Sequence, residues 1–440
     1  MNMKLKIGVI VFLLTLSVYA LNTFAAQYNF TPRVSARETY TDNVFLTDEN
    51  TVDDFITDVS AGGTLSILGR TSGMNFVFDP AYVWYEDGSR ENTWRLPATL
   101  DIWSNLSPKT RFEFFNRFLR SEDPDENRPT IAEDTGEIRA PGDSTVRRGR
   151  GWYITNFTTA RIDNQFGRDD RVYGQFLYSL RREEDPDSNE NDRYAPSAGV
   201  TYWFGPQWGT TVDVRYTRAL FNNSDDYHDL AGTFQLMRRL TRTLQLFGRY
   251  AYAYRDNDGD DQQVTEGDYQ VHAPSAGINY EFAKDARVSL GLGYYYQEFK
   301  DSEFDNQDGL FINGDLFKRW NFQRWSASLL GQAGLDRNDF GNERLGFEQY
   351  AGIIGNATYN FTRNVSGNLN LRYRYSEFVN ESREDERIGL GAGLSWLANK
   401  WLALSLDYNY SKLNSTDVED YDENRVLLRL TLQPDRPWRF

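Results

Sequence analysis

"NVSGNLNLRYRY", Asn364 to Tyr375, decides the fold. One alternate set of positions holds Val365, Gly367, Leu369, Leu371, Tyr373 and Tyr375. The other holds Ser366, Asn368, Asn370, Arg372 and Arg374. A period of two is the mark of a strand, because successive side chains leave opposite faces of a pleated backbone. The alternation recurs in "TVDVRY" (Thr211 to Tyr216), "LALSLDYNY" (Leu402 to Tyr410) and "VLLRLTLQ" (Val426 to Gln433). Each segment has one apolar face and one face of charges, amides and hydroxyls. Beyond residue 27 no long helical period competes with it.

The connections between these segments alternate as well. One set is short: "FGRDD" from Phe166, "FGPQW" from Phe204, "FAKDA" from Phe282, "FTRNV" from Phe361 and "LANKW" from Leu397. The other is longer and acidic, as in "TDENTVDD", "REEDPDSNEND", "NESREDE" and "NSTDVEDYDE". Tight turns at one end and extended loops at the other describe an antiparallel sheet of hairpins. An internal echo sets the spacing: "APSAGVTYWF" begins at Ala195 and "APSAGINYEF" at Ala273, an interval that holds two hairpins. Carried along the chain, this spacing predicts about 20 strands, within a range of roughly 16 to 22.

Alternation alone does not say which face is dry. Aromatics gather on the apolar face near the short turns, at Tyr202, Trp203, Phe204, Tyr280, Phe282, Tyr359, Phe361, Trp396 and Trp401. A membrane interface favours such rings, which bury their bodies and wet their polar tips. The polar face carries full charges at mid-strand, which a closed soluble core rarely tolerates. The N-terminus reads as an export signal: Lys4 and Lys6, an apolar run from Ile7 to Leu21, then small residues around Ala25 and Ala26. The expected organisation is a signal peptide over residues 1–26 and a single all-β domain over 27–440. The expected fold is a transmembrane antiparallel β-barrel in the outer membrane, with the acidic loops outside the cell. Tyr40 to Leu46 would end the first strand. Pro80, Pro97, Pro196 and Pro274 fall within expected strands, and each removes a ladder hydrogen bond.

The remaining composition mostly excludes. A net charge of −16 argues against nucleic acid, whose phosphates call for cations. With no cysteine there is no disulfide, thiolate metal site or cysteine nucleophile. His228 and His272 are the only histidines, and neither sits in a catalytic or metal-binding motif. "DNDGDD" (Asp256 to Asp261) lacks the spacing and the closing glutamate of an EF-hand loop. No catalytic residue, metal site or cofactor is expected, so the protein reads as a non-enzyme. The candidates for function are the residues that would line a wet lumen: Arg215, Arg249, Asn368, Asn370, Arg372, Arg374, Asp407 and Arg429. In the longest connection, Ser121 to Gly151, Arg147, Arg148 and Arg150 are candidates for a constriction.

"FTPRVSARETYTDNVFLTDE" (Phe30 to Glu49) resembles the entry strand of outer-membrane β-barrels associated with PEP-CTERM/exosortase systems and exopolysaccharide loci. Pro32, Val34, Glu38, Tyr40, Thr41, Asp42, Asn43 and Val44 carry the resemblance. More loosely, the chain resembles the β-barrel porins. The resemblance implies a channel supporting exopolysaccharide export or cell-surface sorting, with polysaccharide and periplasmic export components as partners. It brings no catalytic residues. A general diffusion porin, a non-conducting structural or surface-interaction barrel and a surface hydrolase are the alternatives. Outer-membrane lipid and lipopolysaccharide are the expected surroundings in every case.

Overall fold

The computed structural model describes residues 26–126, 130–131, 138–140, 151–185, 188–258, 267–300, 305–338, 340, 346–379 and 383–440. Residues 1–25 of the expected signal, and Arg147, Arg148 and Arg150, lie outside them.

Twenty antiparallel strands form one closed barrel among the described residues. The first ten are β1 (Gln27–Thr41), β2 (Asp54–Leu68), β3 (Ser72–Phe78 and Ala81–Tyr85), β4 (Thr93–Ser107), β5 (Thr110–Ser121), β6 (Tyr153–Gln165), β7 (Arg171–Glu183), β8 (Asn191–Trp203), β9 (Trp208–Phe221) and β10 (Tyr227–Arg239). The second ten are β11 (Leu244–Asn257), β12 (Tyr269–Ala283), β13 (Ala286–Phe299), β14 (Gln307–Asn321), β15 (Trp325–Asn338), β16 (Gly346–Asn360), β17 (Val365–Phe378), β18 (Arg383–Asn399), β19 (Leu402–Ser415) and β20 (Tyr421–Leu432). Each strand pairs with its neighbours in sequence. β1 also pairs with β20, from Val34 opposite Leu432 to Thr41 opposite Arg425, so the sheet has no free edge. The two "APSAG" echoes fall on β8 and β12, two hairpins apart.

The faces are identified by contacts that neighbouring strands alone cannot make. Arg425 on β20 pairs with Asp123, which follows β5, and Tyr295 on β13 meets Phe347 at the start of β16 edge to face. Side chains from strands so far apart meet only inside a barrel. Arg425 shares its parity with Arg429; the opposite parity holds Val426, Leu428 and Leu430, all exposed. On β17, Leu369 is 62% exposed and points away from the lumen, while Asn368, Asn370, Arg372 and Arg374 are on the inner parity. The aromatics near the short turns, including Tyr280, Phe282, Tyr359, Phe361, Trp396 and Trp401, are likewise exposed on the outer surface. Such a band is dry only in contact with lipid.

The prolines leave the register intact. Pro80 lies in the break within β3, and the same β2 register continues on both sides of it. The break bulges onto Gly62, where an added Cβ would lie 2.0 Å from the Phe78 carbonyl oxygen. Pro97 holds its place opposite Leu119. Pro196 and Pro274 each pair on one side only, and the ladder resumes beyond each of them with unchanged register.

One local expectation is corrected. β1 ends at Thr41 rather than continuing to Leu46. Asn43 turns the chain there: its amide donates to the carbonyls of Thr47 and Asp422 at 2.7 and 2.9 Å and accepts from the Thr47 N–H. Val44 then folds inward and packs with Ile56, Val83 and Tyr85. The C-terminal tail, cut from β20 by Pro434, does not hang free. Trp438 and Arg439 pair with Phe30 and Asn29 and extend the closing seam past Pro32.

The absence of cysteine makes single-cysteine labelling unambiguous. In lipid bilayers, a fluorophore on Leu369→Cys should be quenched by lipid-borne quenchers. One on Asn370→Cys should be quenched only by a water-soluble quencher. The reverse pattern would invert the barrel's faces.

Candidate functional site

A 20-strand barrel is too wide for ordinary side chains to fill, so what occupies its interior decides what passes. After β5 the chain turns inward through a 3₁₀ turn, Pro124–Glu126. The turn is built locally: the Ser121 hydroxyl donates to Glu126 at 3.0 Å and accepts from the Asp123 N–H at 3.1 Å. It is then tied to the wall from several strands. Arg425 on β20 grips the Asp123 carboxylate with two guanidinium nitrogens, at 3.1 and 2.7 Å. Tyr153 at the start of β6 donates to the Asp123 carbonyl at 2.8 Å. Arg117 on β5 donates to the Glu126 carbonyl at 2.7 Å. Arg95 on β4 pairs with Glu122 and lies 3.3 Å from both Asp58 and Glu126. Arg37 on β1 pairs with Asp58. Glu423 accepts from the Thr41 hydroxyl at 2.6 Å across the seam.

These charges are almost dry. Arg95 and Arg425 are 4% exposed, Glu122 and Asp123 2%. Ionised groups held out of water persist only when paired and hydrogen-bonded, and here arginine forks meet carboxylates. Glu126, in the connection outside the strands, is less enclosed. Loss of solvent pushes its carboxyl up to about 7; Arg95 pulls it back, and Asp123 and Glu122 push it further.

Elsewhere the inner wall toward the same strand ends is packed by other means. Tyr269, Val271 and Ala273 of β12 pack with Ala253, Tyr295, Phe311 and Phe347 in an apolar cluster on the inner face. Beside it the buried Arg255 lies 3.9 Å from the Tyr227 ring centre. Arg383 forks onto Asp385 at 2.8 and 2.9 Å. All of these groups lie toward the strand ends that carry the long connections. The opposite half is open: a cavity of about 1270 Å³ at the short-turn mouth is lined by Lys109, Arg168, Trp203, Arg242 and Asn279 among others.

The residues singled out in the sequence divide among these regions. Asn368 and Asp407 meet over Gly393, where a Cβ would lie 2.5 and 2.0 Å from their oxygens. Asn370 covers Gly391 in the same way. Arg374 pairs with Glu348 and stacks 4.3 Å from the Tyr350 ring centre, and Arg372 stands on the rung opposite Ile354. Arg429 stands beside Arg37 on the closing seam. Arg215 and Arg249 are on β9 and β11, across the barrel from it. No single constellation gathers them. His228 and His272 lie on the outer face, hydrogen-bonded to Tyr216 and Tyr250.

The network around Asp123 is not among the sequence candidates. Its signal is faint: Arg37, Asp58, Arg95 and Arg425 occupy inward parity, but Glu122 and Asp123 look like any acidic loop.

A closed barrel with an apolar outer belt and a polar inner wall is a transmembrane β-barrel, and its place is the outer membrane. Residues 220–434 match the family model described as "Putative beta-barrel porin 2". Among solved structures, the outer membrane protein OpdK of Pseudomonas aeruginosa is similar at 10% identity, covering 92% of this chain and 99% of that one, with a TM-score of 0.40. A BenF-like porin of Pseudomonas fluorescens is similar at 12% identity, covering 92% and 98%, with a TM-score of 0.39. OccAB4 of Acinetobacter baumannii is similar at 13% identity, covering 92% and 99%, with a TM-score of 0.37. These likenesses are loose and bear on neither solute nor mechanism. No curated protein matches the chain.

Removing one partner of the buried pair takes from the other charge its two-pronged hydrogen-bonded counterion. Asp123→Ala or Arg425→Ala should each cost about 3–5 kcal/mol of local stability. The double variant Asp123→Leu/Arg425→Met should cost less than the two single changes combined. A double-mutant cycle on urea unfolding in lipid vesicles reads the coupling.

Proposed function

We propose that the protein is a gated channel for polar solutes, held shut at its outer end by the turn that follows β5. One observation supports the reading: the turn after β5 is fastened inside the barrel by buried side-chain pairs to several strands, while a large cavity lies at the opposite, short-turn end. Closure by a turn held through a few arginine–carboxylate pairs is a state that can be left.

In this reading Arg215, Arg249, Asn368, Asn370, Arg372, Arg374, Asp407 and Arg429 are the wall that a solute meets. Rings of guanidinium and amide groups replace water around polar solutes and bias which ones pass. Residues 1–26 would be the export signal that delivers the chain. Lipid and lipopolysaccharide would surround the belt.

Export of exopolysaccharide, or service to PEP-CTERM-type surface sorting, is the narrower reading. Its support is the resemblance of Phe30 to Glu49 to barrels of such loci. The test is loss of extracellular matrix sugar on deletion of the gene, restored by the wild-type chain. A general diffusion porin is the broader alternative, and normal matrix sugar in the deletion strain would favour it.

Conductance tests the gate. In planar bilayers the wild-type barrel should be mostly closed, and Arg425→Ala should raise its open probability at least about ten-fold, the loss of a few kcal/mol of closure. Wild type and variant both silent would leave a non-conducting structural barrel.

The gate should also respond to pH. The Glu126 carboxyl titrates near 7 when docked, above its ordinary value of 4.5. The docked state therefore holds a proton that the released state gives up between these values. Docking is strongest at low pH and weakens as pH rises through 7. Open probability should increase from pH 5 to pH 8, and Glu126→Gln should flatten that dependence at the low-pH level.

A further inference from the structure

The two rims of the barrel differ in charge. Every short turn except 204–207 carries a lysine or arginine, whereas the long connections are dominated by aspartate and glutamate. A chain of net charge −16 thus presents a basic mouth to the periplasm. The cavity at that mouth sharpens the contrast, because four of its five carboxylates are engaged and only Glu281, among the described residues, is exposed without an ion pair. Asp163 is held by Arg161 at 2.7 and 2.8 Å, and Asp169 by Arg239 at 2.9 Å. Asp315 lies 3.3 Å from Arg287, and Asp170 accepts the Trp203 N–H at 2.7 Å. Among the described residues, Lys109, Arg168, Arg171 and Arg242 line the same cavity, are exposed, and carry no ion pair. Between these cations the wall supplies amides and hydroxyls, among them Asn105, Gln165, Thr211, Gln245 and Asn279.

We propose that this periplasmic cavity is a binding site for anionic, polyhydroxylated solutes, such as short carboxylated or phosphorylated glycans. Unpaired guanidiniums meet the carboxylate or phosphate in a two-pronged hydrogen bond, which a planar fork makes and an ammonium does not. The amides and hydroxyls meet sugar hydroxyls, as donor and acceptor at once. The cavity is large enough for several sugar units, so a short oligomer gains from several weak contacts together. The acidic outer rim repels the same solute, which makes the periplasm the side of entry. This deepens the channel reading by naming what the inner mouth takes. Binding is measured without conduction, so a silent barrel and an empty cavity are separate failures.

The test is calorimetric titration of the full-length barrel in neutral detergent with an oligogalacturonate, a neutral malto-oligosaccharide of equal length, and inorganic phosphate. The oligogalacturonate should bind, weakening as salt is raised. The neutral oligomer should not bind, and phosphate should compete only at far higher concentration. Arg168→Ser/Arg171→Ser/Arg242→Ser should weaken binding about ten-fold, in keeping with exposed charge contacts of up to ~1 kcal/mol each. Arg324→Ser/Arg363→Ser, on turns outside the cavity, should leave binding unchanged. All these positions are solvated, and retained heat-modifiable migration on gels reports the fold. Equal binding of the neutral oligomer would overturn the proposal. So would equal competition by phosphate, an unaffected cavity variant, or an equal loss in the turn variant.

Discussion

Lipid offers no hydrogen bond to a peptide group, and every other feature of this molecule answers to that fact. A sheet in a membrane must find a partner for its first strand, and only its last strand is left to supply one. The seam between β1 and β20 is therefore where the chain has least freedom. Pro32 cannot donate there, and β20 ends at Leu432. The tail compensates by turning back so that Trp438 and Arg439 pair with Phe30 and Asn29. A proline-interrupted C-terminus that looks like a ragged end is in fact the final stretch of the closure.

The seam also holds the inward turn that follows β5. Arg425, the residue that grips Asp123, stands on the rung opposite Thr41, and Thr41 donates to Glu423 across the same joint. Arg37 on β1 holds Asp58, which Arg95 shares with the inward turn. Burying so many charges is a poor way to gain stability, since desolvation consumes most of the Coulombic attraction. An apolar filling would hold the lumen more firmly, and β11 to β16 use one on the facing wall. Polar fastening on one side and apolar filling on the other make sense together if one side is meant to let go.

Much of this was legible in the residues. Period-two segments such as Asn364 to Tyr375 gave strands and faces, because one misplaced residue would turn every leucine into the lumen. The "APSAG" echo gave the strand number. Chain closure followed from the lipid-facing leucines, not from any residue at the seam. Contacts across the lumen were not legible: Asp123 and Arg425 lie far apart in sequence, and no periodicity links a loop acid to a strand arginine. Val44 shows the same limit. It continues the alternation of β1, yet the side-chain bonds of Asn43 turn it inward. The apolar cluster was hidden for another reason. Tyr269, Val271 and Ala273 alternate with Gln270 and His272, so here the pattern puts apolar groups inside and polar ones outside, the reverse of β17. Near the outer rim both rules relax, because the outer face has left the hydrocarbon and the inner face has left open water.

Opposite charge at the two rims cannot by itself move anything. A passive barrel that binds an anion at its inner mouth raises the local concentration there, but net flux still follows the gradient across the membrane. The same thermodynamics governs the plug. A solute opens it only by as much as it binds the open state better than the closed one. The inner cavity lies at the far end of the lumen from Asp123, so a solute seated there gains nothing from release of the turn. Coupling begins only when the solute advances to the wall shared with the plug, where Arg429 stands beside Arg37. In the proposed channel an anion there would compete with Asp58 for Arg37 and, through Arg95, loosen the contacts of Glu122 and Glu126. In the proposed channel the order of events would be capture, advance, then opening, with the arginines of the seam as the place where the solute's charge is exchanged for that of the turn.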